Sequence, residues 1–219
     1  MTDRALIFDM DGVIIDSVPL HYRSYATILK KYGLPNYSRE EFDQTMGYRS
    51  VDIFRLKKDK YHLDLVPETA AKEKEAFLSD LFDRELKLCD GTIQLLDLAR
   101  NNDFKIALGT TGNRKVVDYV LKRFDLRTYF DVVLSADDIK YGKPDPEVFL
   151  VGSQKLGVEP KNCLVLEDAP LGIDAAHNAN MRCIAVTTSY ERSKLTKADL
   201  IVDSLSEIGL ETLVKLLRD

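Results

Sequence analysis

The sequence predicts an α/β fold in which a parallel sheet is covered by helices on both faces. Six short segments have the length of strands, and most of them are continuously apolar, which is typical of strands buried on both sides. From residue 91 onward these segments alternate with helical patterns, which favours a doubly wound domain. The predicted strands span residues 5–8, 105–110, 131–135, 163–167, 183–188 and 200–204.

A second region, after the first predicted strand, has helical patterns and no strand-like segment. Three helices are predicted there: one over residues 18–33 that ends at Gly33, one from Ser38 to Gly47, and one from Pro67 to residue 86. We therefore expect an all-helical cap over residues 17–87, inserted into an α/β core formed by residues 1–16 and 88–219.

Composition narrows the class of protein. The 219 residues are 45% hydrophobic and 31% charged, as in an ordinary globular protein, and the net charge of −5 gives no bulk attraction to nucleic acid or to anionic membranes. Every apolar run is too short to span a bilayer, the N-terminal segment does not have the pattern of a signal peptide, and the three cysteines are widely spaced. We expect a monomeric cytoplasmic protein without nucleic-acid or membrane partners.

Two aspartates follow the first strand in the stretch ALIFDMDGVIIDS. Asp9 and Asp11 lie two positions apart, so both side chains are expected to point to the same space beyond the carboxyl end of the strand, where open α/β sheets bind ligands. Gly12 permits a tight turn there. A calcium loop is excluded because Val13 and Leu20 occupy the fifth and twelfth positions, which require oxygen ligands. Capping of a helix remains an alternative role for this pair.

A second acidic pair, Glu167 and Asp168, ends the predicted strand at residues 163–167. If the two pairs meet, their four carboxylates repel one another unless a cation lies between them. Oxygen ligands alone select a hard ion, and Mg²⁺ is the first choice.

The remaining polar signals suit an anion. Thr110 and Thr111 end a strand, and their hydroxyls, together with the backbone N–H groups around Gly112, are candidate phosphate ligands. Lys143, just before a proline and a helix, is a candidate to balance the acids. Taken singly, Thr110 as a strand residue and Lys143 as a solvated loop residue are the commoner roles.

The four motifs DMDGVIIDS, LGTTG, GKPDPEVF and LEDAPLGI, in this order and with this helical insert, resemble those of the haloacid dehalogenase-like hydrolase superfamily. The resemblance is to its helical-cap branch, which contains beta-phosphoglucomutase and sugar-phosphate phosphatases. It covers essentially the whole chain and implies a Rossmann-like core. It also implies a cap that moves about hinges near residues 16–18 and 86–90.

The resemblance also implies a role for each motif residue. Asp9 is expected to be the nucleophile that becomes an aspartyl phosphate, and Asp11 the general acid and then the general base. Thr110 is expected to hydrogen-bond the phosphoryl group, and Lys143 to neutralise it and orient Asp9. The implied Mg²⁺ ligands are Asp9, the Asp11 backbone carbonyl, Asp168 and, directly or through water, Glu167.

The activity expected from these roles is a Mg²⁺-dependent phosphatase that acts on a small phosphorylated metabolite, most simply a sugar phosphate. A sugar-phosphate mutase is the alternative, although Gly112 stands where mutase-like sequences have a small polar residue. A halide needs no acid to leave, so Asp11 argues against dehalogenation. A catalytically inactive binding module is disfavoured because all the motif residues are intact.

Substrate contacts are less sharply indicated. The expected substrate-binding residues are Thr111 and Gly112 in the core and His21, Gly47 and Arg49 in the cap. A structural role for His21 is equally compatible with the sequence, and a mutase relative places its arginine one position after Arg49. Lys72 and Lys74 are further candidates, but they lie on a highly charged helix, which favours a solvated face.

Overall fold

The computed structural model describes residues 4–46 and 48–218, so Gly47, predicted both to end a helix and to bind substrate, lies outside the described residues. The chain divides into two compact units. One contains the chain up to Asp16 and from Leu88 onward, and the other is Ser17–Lys87. Within the described residues, no helix combines the length and apolar character needed to cross a membrane.

The first unit contains a six-stranded sheet in which every pairing is parallel. The strand order is β3-β2-β1-β4-β5-β6, so the direction in which the sheet grows reverses at β1. This reversal places a ligand-binding crevice outside the carboxyl ends of β1 and its neighbours. The strands are β1 (Ala5–Phe8), β2 (Lys105–Gly109), β3 (Val132–Leu134), β4 (Cys163–Glu167), β5 (Arg182–Val186) and β6 (Leu200–Val202). The predicted α/β class is confirmed.

Helices cover this sheet and complete its core. They are α5 (Thr92–Arg100), α6 (Arg114–Arg123), α7 (Glu147–Leu156), α8 (Pro170–Asn178) and α9 (Leu210–Arg218). All four residues of β1 are inaccessible to solvent, so both of its faces are covered. Ile7 packs in one cluster with Phe149 of α7 and Ile173 of α8. The continuously apolar strand pattern therefore has the physical cause expected for a parallel sheet.

The second unit is built from α1 (Val18–Lys31), α2 (Arg39–Asp43), α3 (Ser50–Tyr61) and α4 (Pro67–Glu85). Its core includes Tyr25, Leu29 and Phe54. The helices predicted at residues 18–33 and 67–86 are present, and Ser38 caps α2 by accepting a hydrogen bond from the Glu41 N–H. The predicted end of the second helix at Gly47 was wrong, because α2 already ends at Asp43. Helix α3 has no counterpart among the predicted helices.

The two chain segments that join the units lie side by side in the first unit. Ile15 and Leu88 form an antiparallel bridge, and the Cys89 N–H donates to the Ile14 carbonyl at 3.0 Å. The buried Thr92 hydroxyl lies 3.3 Å from the same carbonyl. The chain therefore leaves and re-enters this unit at one place, where hydrogen bonds hold the two segments together.

A carboxylate joins α2 to the end of α3. Oε1 of Glu41 accepts hydrogen bonds from Lys60 at 2.8 Å, from Lys57 at 3.3 Å and from the Tyr61 hydroxyl. Burial opposes the charge of Glu41, but the donors outweigh it and lower the pKa from 4.5 to about 2. The ionised carboxylate therefore stabilises the helical unit.

This network gives a testable dependence of stability on pH. Glu41→Gln is expected to lower the free energy of unfolding at pH 7 by about 1–3 kcal/mol, because it removes the negative charge that Lys57, Lys60 and Tyr61 stabilise. Since the pKa is lower in the folded protein, the contribution is complete above pH 4.5 and is lost as the pH falls toward 2. Urea unfolding followed by circular dichroism at several pH values measures the difference. Glu40→Gln, an exposed acid in the same helical turn, is the control, and equal losses in both variants would contradict the assignment.

Candidate active site

The carboxyl ends of three adjacent strands bring the motifs together. Phe8 is level with Leu108 of β2 on one side and with Leu166 of β4 on the other. The residues that follow these positions therefore meet at one edge of the sheet. The Asp9 N–H continues the ladder by donating to the Leu166 carbonyl at 3.0 Å, which sets Asp9 beside Glu167.

Lys143 is the cation at this edge. Its ammonium donates to Asp9 Oδ1 at 2.6 Å and to Glu167 Oε1, and only 11% of the side chain is exposed. Burial alone would lower the pKa of Lys143, but the negative charges of Asp9 and Glu167 outweigh it and raise that pKa. Lys143 is therefore charged and fixed between two acids, and its alternative role as a solvated loop residue is excluded.

Three buried acids lie together at this edge, and two of them contact the ammonium. Asp9, Glu167 and Asp168 each offer a carboxylate oxygen, and these oxygens lie within 4.8 Å of one another. Glu167 Oε2 also accepts from the backbone N–H groups of Asp168 at 2.9 Å and Ala169 at 3.1 Å. The arrangement concentrates negative charge at a position that is buried from solvent.

The pKa values show that one lysine does not balance this charge. Burial, followed in effect by the charges of Glu167 and Asp11, raises the pKa of Asp9 to about 7 although Lys143 opposes the shift. Burial and the charges of Glu167 and Asp9 also raise the pKa of Asp168 well above its usual value. An additional cation would favour the ionised forms. The atoms available as metal ligands are all carboxylate oxygens, so the residues present fit a hard divalent metal.

Two glycines leave room for the carboxylates. A Cβ atom on Gly12 would overlap the Asp168 carboxylate. Gly12 also has φ +76°, a backbone conformation that residues with a side chain rarely adopt. A Cβ atom on Gly172, in the first turn of α8, would overlap the Glu167 carboxylate. The two glycines thus shape the acidic site as directly as its charged residues do.

The candidate anion ligands follow β2. The Thr110 hydroxyl is buried and accepts a hydrogen bond from the Gly112 N–H at 3.0 Å, so that N–H has a partner within the loop. Thr111 is exposed. An ideal Cβ on Gly112 would lie 3.8 Å from Asp11 Oδ2, which places the loop next to the second aspartate. The loop after β2 and the loop after β1 therefore border the same space.

The predicted substrate residues of the helical unit differ in their surroundings. Arg49 is 83% exposed and pairs with Asp52 at 2.7 Å. His21 packs edge-on against Phe82, with ring centroids 5.8 Å apart. Burial, and next the charge of Lys74, lower the pKa of His21 well below its usual value, so its ring is neutral at pH 7.

The prediction of a solvated face was wrong for Lys74, although Lys72 is exposed. Lys74 is 2% exposed, and its ammonium lies 3.3 Å from His21 Nδ1 and 3.1 Å from Glu75 Oε1. The signal that sequence reasoning missed is positional. Ala70, Lys74, Leu78 and Leu81 follow the spacing of one buried helical face.

Comparison with known proteins connects this geometry to a family. The sequence pattern described as haloacid dehalogenase-like hydrolase matches residues 6–186. The chain belongs to this family. The resemblance seen in its four motifs is confirmed, and metal use is typical of such hydrolases.

Several relatives of the hydrolase are named as phosphatases. It is 32% identical over 217 residues to a phosphorylated carbohydrates phosphatase of Thermotoga maritima, with 97% of this chain and 94% of the relative covered. It is 36% identical over 184 residues to the fructose-1-phosphate phosphatase YqaB of Escherichia coli, with 83% and 95% covered. A beta-phosphoglucomutase structure from Clostridium difficile superposes with a TM-score of 0.82 at 29% identity, covering 99% of this chain and 98% of the other.

The requirement for glycine beside the Glu167 carboxylate can be tested with a matched pair of helix substitutions. Gly172→Ala is expected to reduce the free energy of unfolding by about 1–3 kcal/mol, because the new methyl group displaces the Glu167 carboxylate from its donors. Gly152→Ala is the control, since its Cβ would meet Ile7 at 3.5 Å, an ordinary contact. Chemical denaturation of both variants measures the effect. A Gly172→Ala protein as stable as Gly152→Ala would contradict the overlap.

Proposed function

We propose that the protein is a Mg²⁺-dependent phosphatase that hydrolyses phosphorylated carbohydrates through an aspartyl-phosphate intermediate. The observation that carries the proposal is the buried Asp9 carboxylate held by Lys143 beside Glu167 and Asp168. Relatives named as phosphatases of phosphorylated carbohydrates and of fructose 1-phosphate support the substrate class.

In the first half of the reaction, an Asp9 carboxylate oxygen attacks phosphorus and the bond to the substrate oxygen breaks. Asp11 gives its proton to the leaving oxygen, which would otherwise depart as an unstable alkoxide. Lys143 contacts Asp9 Oδ1, which fixes the orientation of the nucleophile and places positive charge near the transferring group. The Thr110 hydroxyl is proposed to donate a hydrogen bond to a phosphoryl oxygen.

In the second half, Asp11 takes a proton from water, whose oxygen attacks the phosphorus of the aspartyl phosphate and releases inorganic phosphate. Asp9 is regenerated as a carboxylate. The proposed metal ligands are Asp9, the Asp11 backbone carbonyl, Asp168 and, directly or through water, Glu167. Bound Mg²⁺ supplies positive charge that offsets the buried acids and the phosphoryl oxygens.

Recognition of the rest of the substrate is proposed to involve Thr111 and Gly112 of the first unit together with His21, Gly47 and Arg49 of the helical unit. Lys74, a further candidate from the sequence, is included in this proposal because a buried ammonium in contact with His21 is suited to sugar oxygens or to a second phosphate. These residues would decide which phosphorylated carbohydrate is hydrolysed.

Asp9→Asn tests the mechanism. The amide cannot form the acyl phosphate, so phosphate release from fructose 1-phosphate with Mg²⁺ is expected to fall by about 10³-fold or more. Asp118→Asn, an exposed aspartate on α6, is the control and should retain wild-type activity. Thermal unfolding checks that both variants fold. Full phosphatase activity of folded Asp9→Asn would reject the aspartyl-phosphate mechanism.

A sugar-phosphate mutase is the second candidate, supported by the structural similarity to beta-phosphoglucomutase. The two activities give different products from one mixture. With β-glucose 1-phosphate and a trace of glucose 1,6-bisphosphate, a phosphatase releases inorganic phosphate, whereas a mutase accumulates glucose 6-phosphate. Phosphorus NMR of the mixture distinguishes the outcomes, and we expect free phosphate.

A further inference from the structure

Several side chains of the helical unit contact the buried Lys74 ammonium. Lys74 Nζ lies 3.1 Å from Glu75 Oε1, 3.3 Å from His21 Nδ1 and 4.7 Å from the centre of the Tyr25 ring. These contacts come from α1 and α4. They restrict a side chain that would otherwise be among the most mobile in a protein.

The same residues are joined by a second route through Ser50. The Tyr25 hydroxyl donates to Ser50 Oγ at 2.9 Å, and Ser50 Oγ donates to Glu75 Oε1 at 3.0 Å. Tyr25 therefore touches the lysine with its ring face and reaches the lysine's carboxylate partner through its hydroxyl. Ser50 opens α3 and directly follows Arg49, so this route also ties down the segment that contains Arg49.

The direction of each hydrogen bond follows from the groups involved. An ammonium can only donate, so His21 Nδ1 accepts from Lys74 and the proton of the neutral ring lies on Nε2. Glu75 Oε1 accepts from both Ser50 and Lys74. Tyr25 donates to Ser50, and the donors of Ser50 and Lys74 end on Glu75 and His21. Each of these two acceptors fixes one bond of Lys74.

On the basis of the phosphatase function proposed above, we propose that Tyr25, Ser50 and Glu75 are positioning residues, which fix Lys74 and His21 to recognise the oxygen-rich part of the substrate that is not transferred. They act through Lys74 and His21 and do not touch the reacting phosphoryl group. Their loss should therefore weaken substrate binding more than turnover, because pre-organised donors lower the cost of binding.

Steady-state kinetics of Glu75→Gln, Ser50→Ala and Tyr25→Phe test the proposal with two substrates. The part of fructose 1-phosphate that is not transferred carries several hydroxyl groups, whereas that of p-nitrophenyl phosphate is a nitrophenyl ring without hydroxyl groups. For fructose 1-phosphate, Glu75→Gln is expected to raise KM by about tenfold, and the other two by about threefold, with kcat within about twofold. KM for p-nitrophenyl phosphate should stay within about twofold.

Glu73→Gln is the matched control. Glu73 lies on the same helix and pairs with Lys31 at 2.7 Å and Tyr32 at 3.3 Å, outside the Lys74 set. It should leave both KM values unchanged. The proposal is overturned if Glu73→Gln has the same effect as Glu75→Gln, if KM for fructose 1-phosphate does not rise, or if kcat falls equally for both substrates.

Nitrogen NMR of the three histidines provides a measurement that does not depend on activity. His21, assigned with His62→Gln and His177→Gln spectra, should be the Nε2–H tautomer, and Glu75→Gln and Tyr25→Phe should shift its Nδ1 resonance while Glu73→Gln does not. If that shift is absent, the proposed positioning of Lys74 and His21 by Tyr25 and Glu75 is rejected, whatever activity the variants have. If the shift is present but the wild-type enzyme releases phosphate from no phosphosugar, the phosphatase function and the substrate role are both rejected. Only the hydrogen bonds around Lys74 and His21 would then be supported.

Discussion

The ion pair of Lys143 with Asp9 and Glu167 is the interaction on which the site depends. Three carboxylates are buried at the ends of adjacent strands, and removal of charge from water is costly unless an opposite charge meets it. Lys143 meets two of the acids, and the N–H groups that follow β4 meet the free side of Glu167. The raised pKa values of Asp9 and Asp168 show that this compensation is incomplete, which suits a site that takes up a cation.

Much of the fold and the acidic site could be predicted because the signals are local. Continuously apolar segments mark strands buried on both faces, and the predicted strands occur within one or two residues of their observed bounds. The strand pattern left open whether Asp9 and Glu167 meet, and the family resemblance implied that they do. They meet because β1 and β4 are neighbouring parallel strands that end at the same edge. Lys143 was a candidate from the sequence, but only the family resemblance favoured it over a solvated loop residue. A loop lysine alone carries no sign that it reaches two acids 134 and 24 residues away in the sequence.

The helical unit was less predictable because its polar residues are stabilised by distant partners. Helix α3 has no side-chain cap, and its few buried positions include Lys57, so its apolar stripe is narrow. Lys74 was assigned to a solvated face by its charge, whereas the acid, the imidazole and the aromatic ring that surround it come from two helices. Spacing along one helix identifies a buried position but does not show which partners make a charge tolerable there.

The bridge between Ile15 and Leu88 has a consequence for how such a chain can be altered. The two crossing segments are joined by backbone hydrogen bonds within the sheet-containing unit, so the ends of the 17–87 insertion are already close together. A short turn could therefore replace the whole insertion without stretching β1 or α5, and a different insertion could be grafted at the same place. The sheet and its chemistry thus form an exchangeable platform, open to new specificities through recombination at a single junction.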